Sequence, residues 1–514
     1  MCHCGSTWNL HADLSHLWYL FSFYVLPWGQ GALVFLMQAG FAMLCAGSVR
    51  QKNVKNIMLK NLLDACGGAL GFYVLGFALA AGDNSPTTTT FVGTQYFALK
   101  GYPYDGLAFF FFQFAFAATA ATIVAGTVAE RCKMAAYLCY SLFLTAFVYP
   151  VVVHSVWSTY GFLSAFNTEI GEPFRGVGAI DFAGSGVVHL TGGATALIAA
   201  IILGPRKGRF YDEDGNPLEE PTTFPAHSVA LQVLGTFLLW FGWYGFNPGS
   251  TLAIAGTNAY DPKEGDLRGT TTHVASAASL CAVTTTLAAA TGLVVSMFTD
   301  SILEARKTGE VSYDLTMAMN GALGGLVAIT AGTSVVDPWA AIIIGGIGGW
   351  VYLGASKLLI KLRIDDAVDA IPVHGANGIW AVFAVGLFAR KELIAQAGYG
   401  NPGGRQGWFF TWRTGSDANL LLCQFCEVLW VLGWVGTLMT PFFYLLKIAG
   451  MFRVDALEEE VGLDISHHRG AAYDLTGPNK EDVEELLEVR ASKHGKVEVP
   501  KEVAKAMEDA EEDA

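Results

Sequence analysis

Two stretches of the chain set ionisable side chains in apolar surroundings at matching spacing. DFAGSGVVHLTGG puts Asp181 eight residues before His189 and Gly193 four after it. DAVDAIPVHGANG puts Asp366 eight before His374 and Gly378 four after it. An ionisable residue at the centre of a membrane helix costs about 2.5–3.5 kcal/mol on insertion scales, and such residues usually face an interior pathway and have partners. A single histidine on an apolar helix reads most often as a satisfied structural residue. Two at matching positions are harder to assign that way. A neutral imidazole has one donor and one acceptor nitrogen. Two side by side can share one proton and leave their outer nitrogens to line a narrow path. That arrangement suits a small neutral polar species or a proton relay. Asp181 precedes a helical run and reads as an N-cap, or as negative potential for a cation site. Asp64, four residues after Lys60, reads as its ion-pair partner near a membrane face.

The elements that position these residues follow from composition. Of 514 residues, 53% are hydrophobic and 15% charged. A soluble domain carries about 25% charged residues, so a membrane protein is expected. A helix needs about 20 apolar residues to cross the hydrocarbon layer. Eleven segments qualify: 17–47, 57–82, 107–128, 135–157, 181–204, 227–247, 271–299, 313–334, 338–361, 374–389 and 419–447. The tenth is short, and its HGANG start suggests a helix beginning inside the protein. The fold class is therefore an all-α polytopic membrane protein. Two five-helix halves, each delivering one histidine, fit an inverted 5+5 repeat plus one C-terminal helix, with the shared site near the bilayer midplane. The 59 glycines, as in GALGGLVAITAG and IIIGGIGGW, let helices approach closely in lipid.

An odd helix count puts the termini on opposite sides. Basic residues in the connections number 15 on the side holding Arg50, Arg206 and Lys447, and 8 on the side holding Arg175 and Arg390. The positive-inside rule then places the N-terminus outside and the C-terminus in the cytoplasm. Residues 1–49 contain no Lys or Arg, so the first apolar run reads as a retained helix rather than a signal peptide. No organelle-targeting segment is evident, and the plasma membrane is expected. The organisation expected is an extracellular N-terminus (1–16), a membrane domain (17–447) and an acidic, partly disordered tail (448–514). The RKGR run at 206–209 reads as a topology determinant. Nine cysteines give no clear framework, and unpaired thiols are expected; Cys2 and Cys4 leave an inter-subunit disulfide open. No nucleophile–base motif, phosphate loop or metal-ligand cluster stands out. No enzyme activity, cofactor or metal is expected, and the net charge of −14 discourages nucleic-acid binding.

DFAGSGVVHLTGGATAL resembles the signature of the ammonium transporter family, in its Amt/Mep branch, related to Rhesus proteins. AGFAMLCAGSVRQKN, FFQFAFAATAATIVAGTVAER, VVHSVWSTYG, WFGWYGFNPGS and IPVHGANGIW fit the family in order over about residues 17–475. NLLDACGGALGF and GLDISHHRGAAY resemble the plant and algal members most. The resemblance implies eleven membrane helices, a homotrimer embedded in lipid, and one hydrophobic pore per subunit. Trp157, Phe116 and Ser250 match the outer ammonium site. Phe116 and Phe246 match the phenylalanine gate. His189 and His374 match the twin histidines of the pore. Asp181 matches the acid beneath the recruitment site, with a structural or deprotonating role, and Gln113 a supporting one. Ser466 stands where plant members carry a phosphorylatable threonine, in a tail that touches neighbouring subunits and is open to a kinase.

The residue chemistry agrees. A desolvated cation–π contact is worth about 2 kcal/mol or more, and Trp offers the best ring. Such a cage suits ammonium but does not exclude methylammonium. The expected activity is high-affinity ammonium uptake, with deprotonation at the outer site and passage of ammonia. The proton either returns outside or follows a separate or histidine-linked route. The alternatives are a Rhesus-type channel for ammonia or carbon dioxide, against which Trp157 and Ser250 argue, and an ammonium sensor.

Overall fold

The computed structural model describes residues 26–83, 89–167, 172–252, 271–399, 405–411 and 418–473. Residues 1–16 with Cys2 and Cys4, the start of the first expected helix, and the tail beyond 473 lie outside the described residues.

Among the described residues, ten helices are long and apolar enough to cross a membrane: α1 Pro27–Ser48, α2 Gln51–Ala81, α3 Tyr104–Thr127, α4 Met134–Trp157, α5 Ser185–Leu203, α6 Val229–Thr251, α7 Ala275–Thr308, α9 Pro338–Lys361, α10 Ile371–Phe388 and α11 Asn419–Ile448. The eleventh, α8 Leu315–Thr330, is apolar but shorter. Each of the eleven expected segments therefore holds a helix among the described residues, and no strand is formed among them. The largest boundary difference is in α7. It continues through SILEARKT to Thr308, because good helix formers and a basic last turn favour extension past the apolar run. Helix α10 begins three residues before His374, so HGANG lies within its first turns.

Local chemistry sets several starts. Asp314 caps α8 by accepting from Met317 N–H at 2.9 Å, and Pro338 occupies the first turn of α9, where its missing N–H costs nothing. Glycines let the helices touch backbone to backbone. A Cβ on Gly235 of α6 would lie 2.3 Å from the Leu44 nitrogen of α1, and one on Gly325 of α8 2.2 Å from the Ala288 carbonyl oxygen of α7. These are the close approaches expected of small residues in lipid. The seven described cysteines are free thiols.

The sequence echo has a structural counterpart. Both α5 and α10 open on a π-helical turn, Ser185–Leu190 and Ile371–Ala376, each holding one histidine. The glycine four residues after each histidine marks where the two turns cross. A Cβ on Gly193 would meet the Gly375 Cα at 2.3 Å, and one on Gly378 the Ser185 carbonyl oxygen at 2.8 Å.

The tail folds against one end of the bundle through two short helices, α12 Ala456–Val461 and α13 Leu463–His468. Asp464 accepts from the backbone N–H groups of Lys55 and Asn56, both at 2.9 Å. A tail carboxylate thereby caps the first turn of α2, where orphan donors and the helix dipole favour an anion.

Candidate substrate pathway

At the end of the bundle opposite the tail, a cavity of about 430 Å³ is lined by Phe112, Gln113, Phe116, Trp157, Ser250 and their neighbours. Trp157 closes α4. Its indole Nε1–H donates to the Asp181 carbonyl oxygen at 2.7 Å, which fixes the ring plane. The Phe116 ring meets it edge-on, with centroids 6.0 Å apart and planes at 78°. The Ser250 hydroxyl donates to the Phe246 carbonyl oxygen at 2.8 Å, so its lone pairs stay open to a donor. The buried Gln113 Oε1 has no hydrogen-bond partner among the described residues. Sequence-matched residues from α3, α4 and α6 thus converge on one chamber.

Below the chamber the way is shut. Phe116 and Phe246 stack with centroids 4.0 Å apart at 23°, and both are fully buried. Next comes His189, 5.5 Å from the Phe246 ring and 5.2 Å from that of Trp243. Its Nδ1 lies 3.1 Å from the Nδ1 of His374. A hydrogen bond between two imidazole nitrogens needs one proton and one lone pair, so one of the two rings donates and the other accepts. The buried His189 Nε2 has no hydrogen-bond partner among the described residues. Beyond His374 lies a pocket of about 20 Å³ bounded by Phe41, Leu44, Thr122 and Val373. Past it, a vestibule of about 320 Å³ opens at the tail end, lined by Arg206, Asn320, Asp365, Asp366 and Asp369 among others. Chamber, ring stack, histidine pair and vestibule follow one another through the bundle.

Asp181 is not exposed to the chamber. Its carboxylate accepts from the N–H groups of Gly184 at 3.1 Å, Ser185 at 2.7 Å, Gly186 at 2.9 Å and Val187 at 2.9 Å. The sequence suggests it as the N-cap; that position is held by Gly184, and Asp181 caps the turn from three residues before it, taking four donors. Gly184, at φ +100°, makes the turn that lets one carboxylate reach them all, a conformation that glycine adopts without penalty. Asp366 repeats the device, accepting from Ile371 N–H at 2.7 Å and from the Thr127 hydroxyl at 3.1 Å.

A model of the Ammonium Transporter Family matches residues 29–473. The chain belongs to this family. It is 45% identical over 481 residues to Ammonium transporter 1 member 3 of Solanum lycopersicum, an alignment covering 92% of this chain and 96% of that protein. A solved structure named Sensor Amt Protein superposes with a TM-score of 0.69 at 31% identity, over 90% of this chain and 99% of that one. Mep2 of Candida albicans gives 0.70 at 26% identity, over 88% and 93%. The protein is thus a multi-pass member of a transport family rather than an enzyme.

The structure of the transporter also departs from the sequence reading. Lys60 and Asp64 do not use each other as hydrogen-bond partners. Lys60 Nζ donates to the Cys132 carbonyl oxygen at 2.8 Å, and Asp64 accepts from the Tyr137 hydroxyl. Both are fully buried, so each takes the donor or acceptor packed directly against it. The RKGR run is more than a basic marker. Arg206 is buried, with Nε 2.8 Å from Asp365 and Nη1 2.9 Å from Glu130. Arg50 reaches Glu130 from the other side at 2.5 Å. Burial works against the Asp365 charge, but Arg131 and Arg206 outweigh it and hold the carboxyl well below the usual range. Glu130 is likewise lowered, against the effect of burial, by Arg206 and Arg50.

Sequence reasoning misses two residues on α11. Gln424 Oε1 accepts from Ile180 N–H at 2.8 Å, and its Nε2 donates to the Ile180 carbonyl oxygen at 2.8 Å. One turn on, Glu427 lies against Gly186. The signal was available: QFCE places two polar side chains, three apart, on an apolar helix of 30 residues, and such side chains face the bundle interior.

Proposed function

We propose that this transporter takes up ammonium with high affinity across the plasma membrane, with its N-terminus outside and its tail in the cytoplasm. The chamber is then the outer one. Ammonium is held over Trp157 and Phe116 and donates to Ser250, with Gln113 in support. Carrying the bare ion into the dry pore is costly, so it divides into ammonia and a proton. Ammonia passes when the Phe116 and Phe246 rings swing apart, and then moves along His189 and His374. The observation that carries this reading is the pair of buried imidazoles in contact behind stacked rings, with the His189 Nε2 unengaged. An unengaged ring nitrogen is a hydrogen-bonding site for a small neutral cargo. Asp181 orients the assembly through its cap and its bond to Trp157. No cofactor enters the cycle.

The proton is proposed to follow by way of the histidines. Voltage clamp of a heterologous cell expressing the chain, with ammonium added outside, tests this. A saturable inward current, lost in His189→Ala, is expected. Uptake of labelled methylammonium without current would replace the reading by conduction of a neutral species. Neither current nor uptake would favour the sensor, a reading in line with the name of one similar solved structure.

The membrane domain is assigned to residues 17–447, working as a homotrimer with one pore per subunit, and the tail from 448 onward is assigned to control. Ser466 is buried, its hydroxyl donating to the Gly462 carbonyl oxygen at 3.0 Å. A phosphate there adds about −1.5 to −2 charges beside Asp464, and would lift α13 off α2. The kinase must therefore act on an undocked tail.

A further inference from the structure

Glu427 has no place in the cycle above, yet it is fully buried in α11. Neither of its carboxyl oxygens has a hydrogen-bond donor among the described residues. A Cβ on Gly186 would lie 2.4 Å from its Oε1, so the carboxyl rests on the backbone of the π turn that carries His189. The N–H of that same Gly186 donates to Asp181 Oδ2 at 2.9 Å, so the two carboxyls meet at one residue and act on each other. No Lys, Arg or His forms an ion pair with either among the described residues.

Two anions in contact in a medium of low dielectric repel strongly, and such pairs hold one proton between them. The surroundings decide which partner keeps it. Asp181 takes four backbone N–H bonds at a helix N-terminus, and each favours the ionised form. Glu427 takes none. A protonated Glu427 supplies the donor that the geometry lacks.

We infer that Glu427 is held as a neutral acid that donates its proton to Asp181, a positioning residue that limits the charge beneath the ammonium site to one. Asp181 in turn fixes the Trp157 indole through its carbonyl and the His189 turn through its carboxylate. A group on α11 thereby sets the recruitment ring and the pore together. The protonation state stands by itself; the effect on transport rests on the function proposed above.

The test pairs a spectrum with uptake. Infrared spectra of the purified full-length chain are recorded for wild type and Glu427→Gln at neutral pH. A carbonyl stretch of a protonated carboxylic acid, present in wild type and missing from the variant, is expected. Its absence from wild type overturns the inference, whatever the chain transports. Labelled methylammonium uptake is then compared for Glu427→Gln and Glu427→Leu, with thermal stability measured on both. The amide keeps a donor to Asp181, and uptake within about twofold of wild type is expected. Leu removes the donor, and a loss of about tenfold is expected, the scale of a hydrogen bond to a charged group. A folded Gln variant as inactive as Leu overturns the positioning role and makes the proton itself mobile. A Leu variant with wild-type uptake overturns it as well.

Discussion

At the scale of single residues, two side chains of the chamber are held by the protein itself. Trp157 is pinned by the Asp181 carbonyl and Ser250 by the Phe246 carbonyl. On the function proposed above, the cage therefore stands ready before an ion arrives, and binding costs little ordering. Replacing Trp157 by Leu removes the ring but not the cavity. A cation–π contact of about 2 kcal/mol corresponds to about 30-fold in affinity, so the half-saturation concentration for ammonium uptake should rise by about 10- to 30-fold. Uptake kinetics over a range of ammonium concentrations check this; an unchanged half-saturation would move the recruitment site elsewhere. The chamber residues are legible in the sequence because each sits in a long motif with a resemblance to carry it. Lys60 and Asp64 are not, because spacing alone says which groups can meet along one helix, not which neighbours come from another. Cys132 and Tyr137 reach them from beyond α2.

At the scale of elements, the proposed function rests on the crossing of two π turns. The echo of aspartate, histidine and glycine is visible in the sequence, and its three members serve as cap, ring and contact point. The crossing itself is not visible there, since it depends on which helix faces which. Gly193→Ala tests it. The added methyl meets backbone rather than a pliable side chain, so the turns must part. Overpacking of this kind costs about 1–3 kcal/mol, and the 3.1 Å histidine contact opens. A lower melting temperature and loss of ammonium current are expected together. Current at the wild-type level would mean that the histidines need not touch. The two polar residues of α11 escape the sequence reading for a related reason. A helix read as a membrane span by its average hides the one face that turns inward.

At the scale of the whole molecule, the tail end is locked by charge. Arg206 joins Asp365 of the segment before α10 to Glu130 of the segment after α3, and Arg453 of the tail meets Glu459 at 2.8 Å. Arg206→Met leaves two buried carboxylates without their shared cation. Breaking such a pair costs about 3–5 kcal/mol, readable as a large fall in the melting temperature of the solubilised protein. Acid acts on the same lock. Asp365 and Glu130 have lowered proton affinities in the folded chain, so their contribution is complete above the ordinary carboxylate values of 3.8 and 4.5. It declines as the pH falls below them. A melting temperature that drops steeply below about pH 4 in wild type, and less steeply in Arg206→Met, is the expected profile; parallel profiles would place the acid sensitivity elsewhere. On the function proposed above, the touching histidines bear on nitrogen economy. If a charge crosses with each ammonia, a membrane at about 100 mV supplies about 2.3 kcal/mol per ion. That energy sustains about a 50-fold accumulation of ammonium inside the cell. If the proton stays behind, the pore can only level ammonia across the membrane. On the function proposed above, a proton handed on or withheld between two Nδ1 atoms thus separates a cell that hoards nitrogen from one that merely equilibrates with its surroundings.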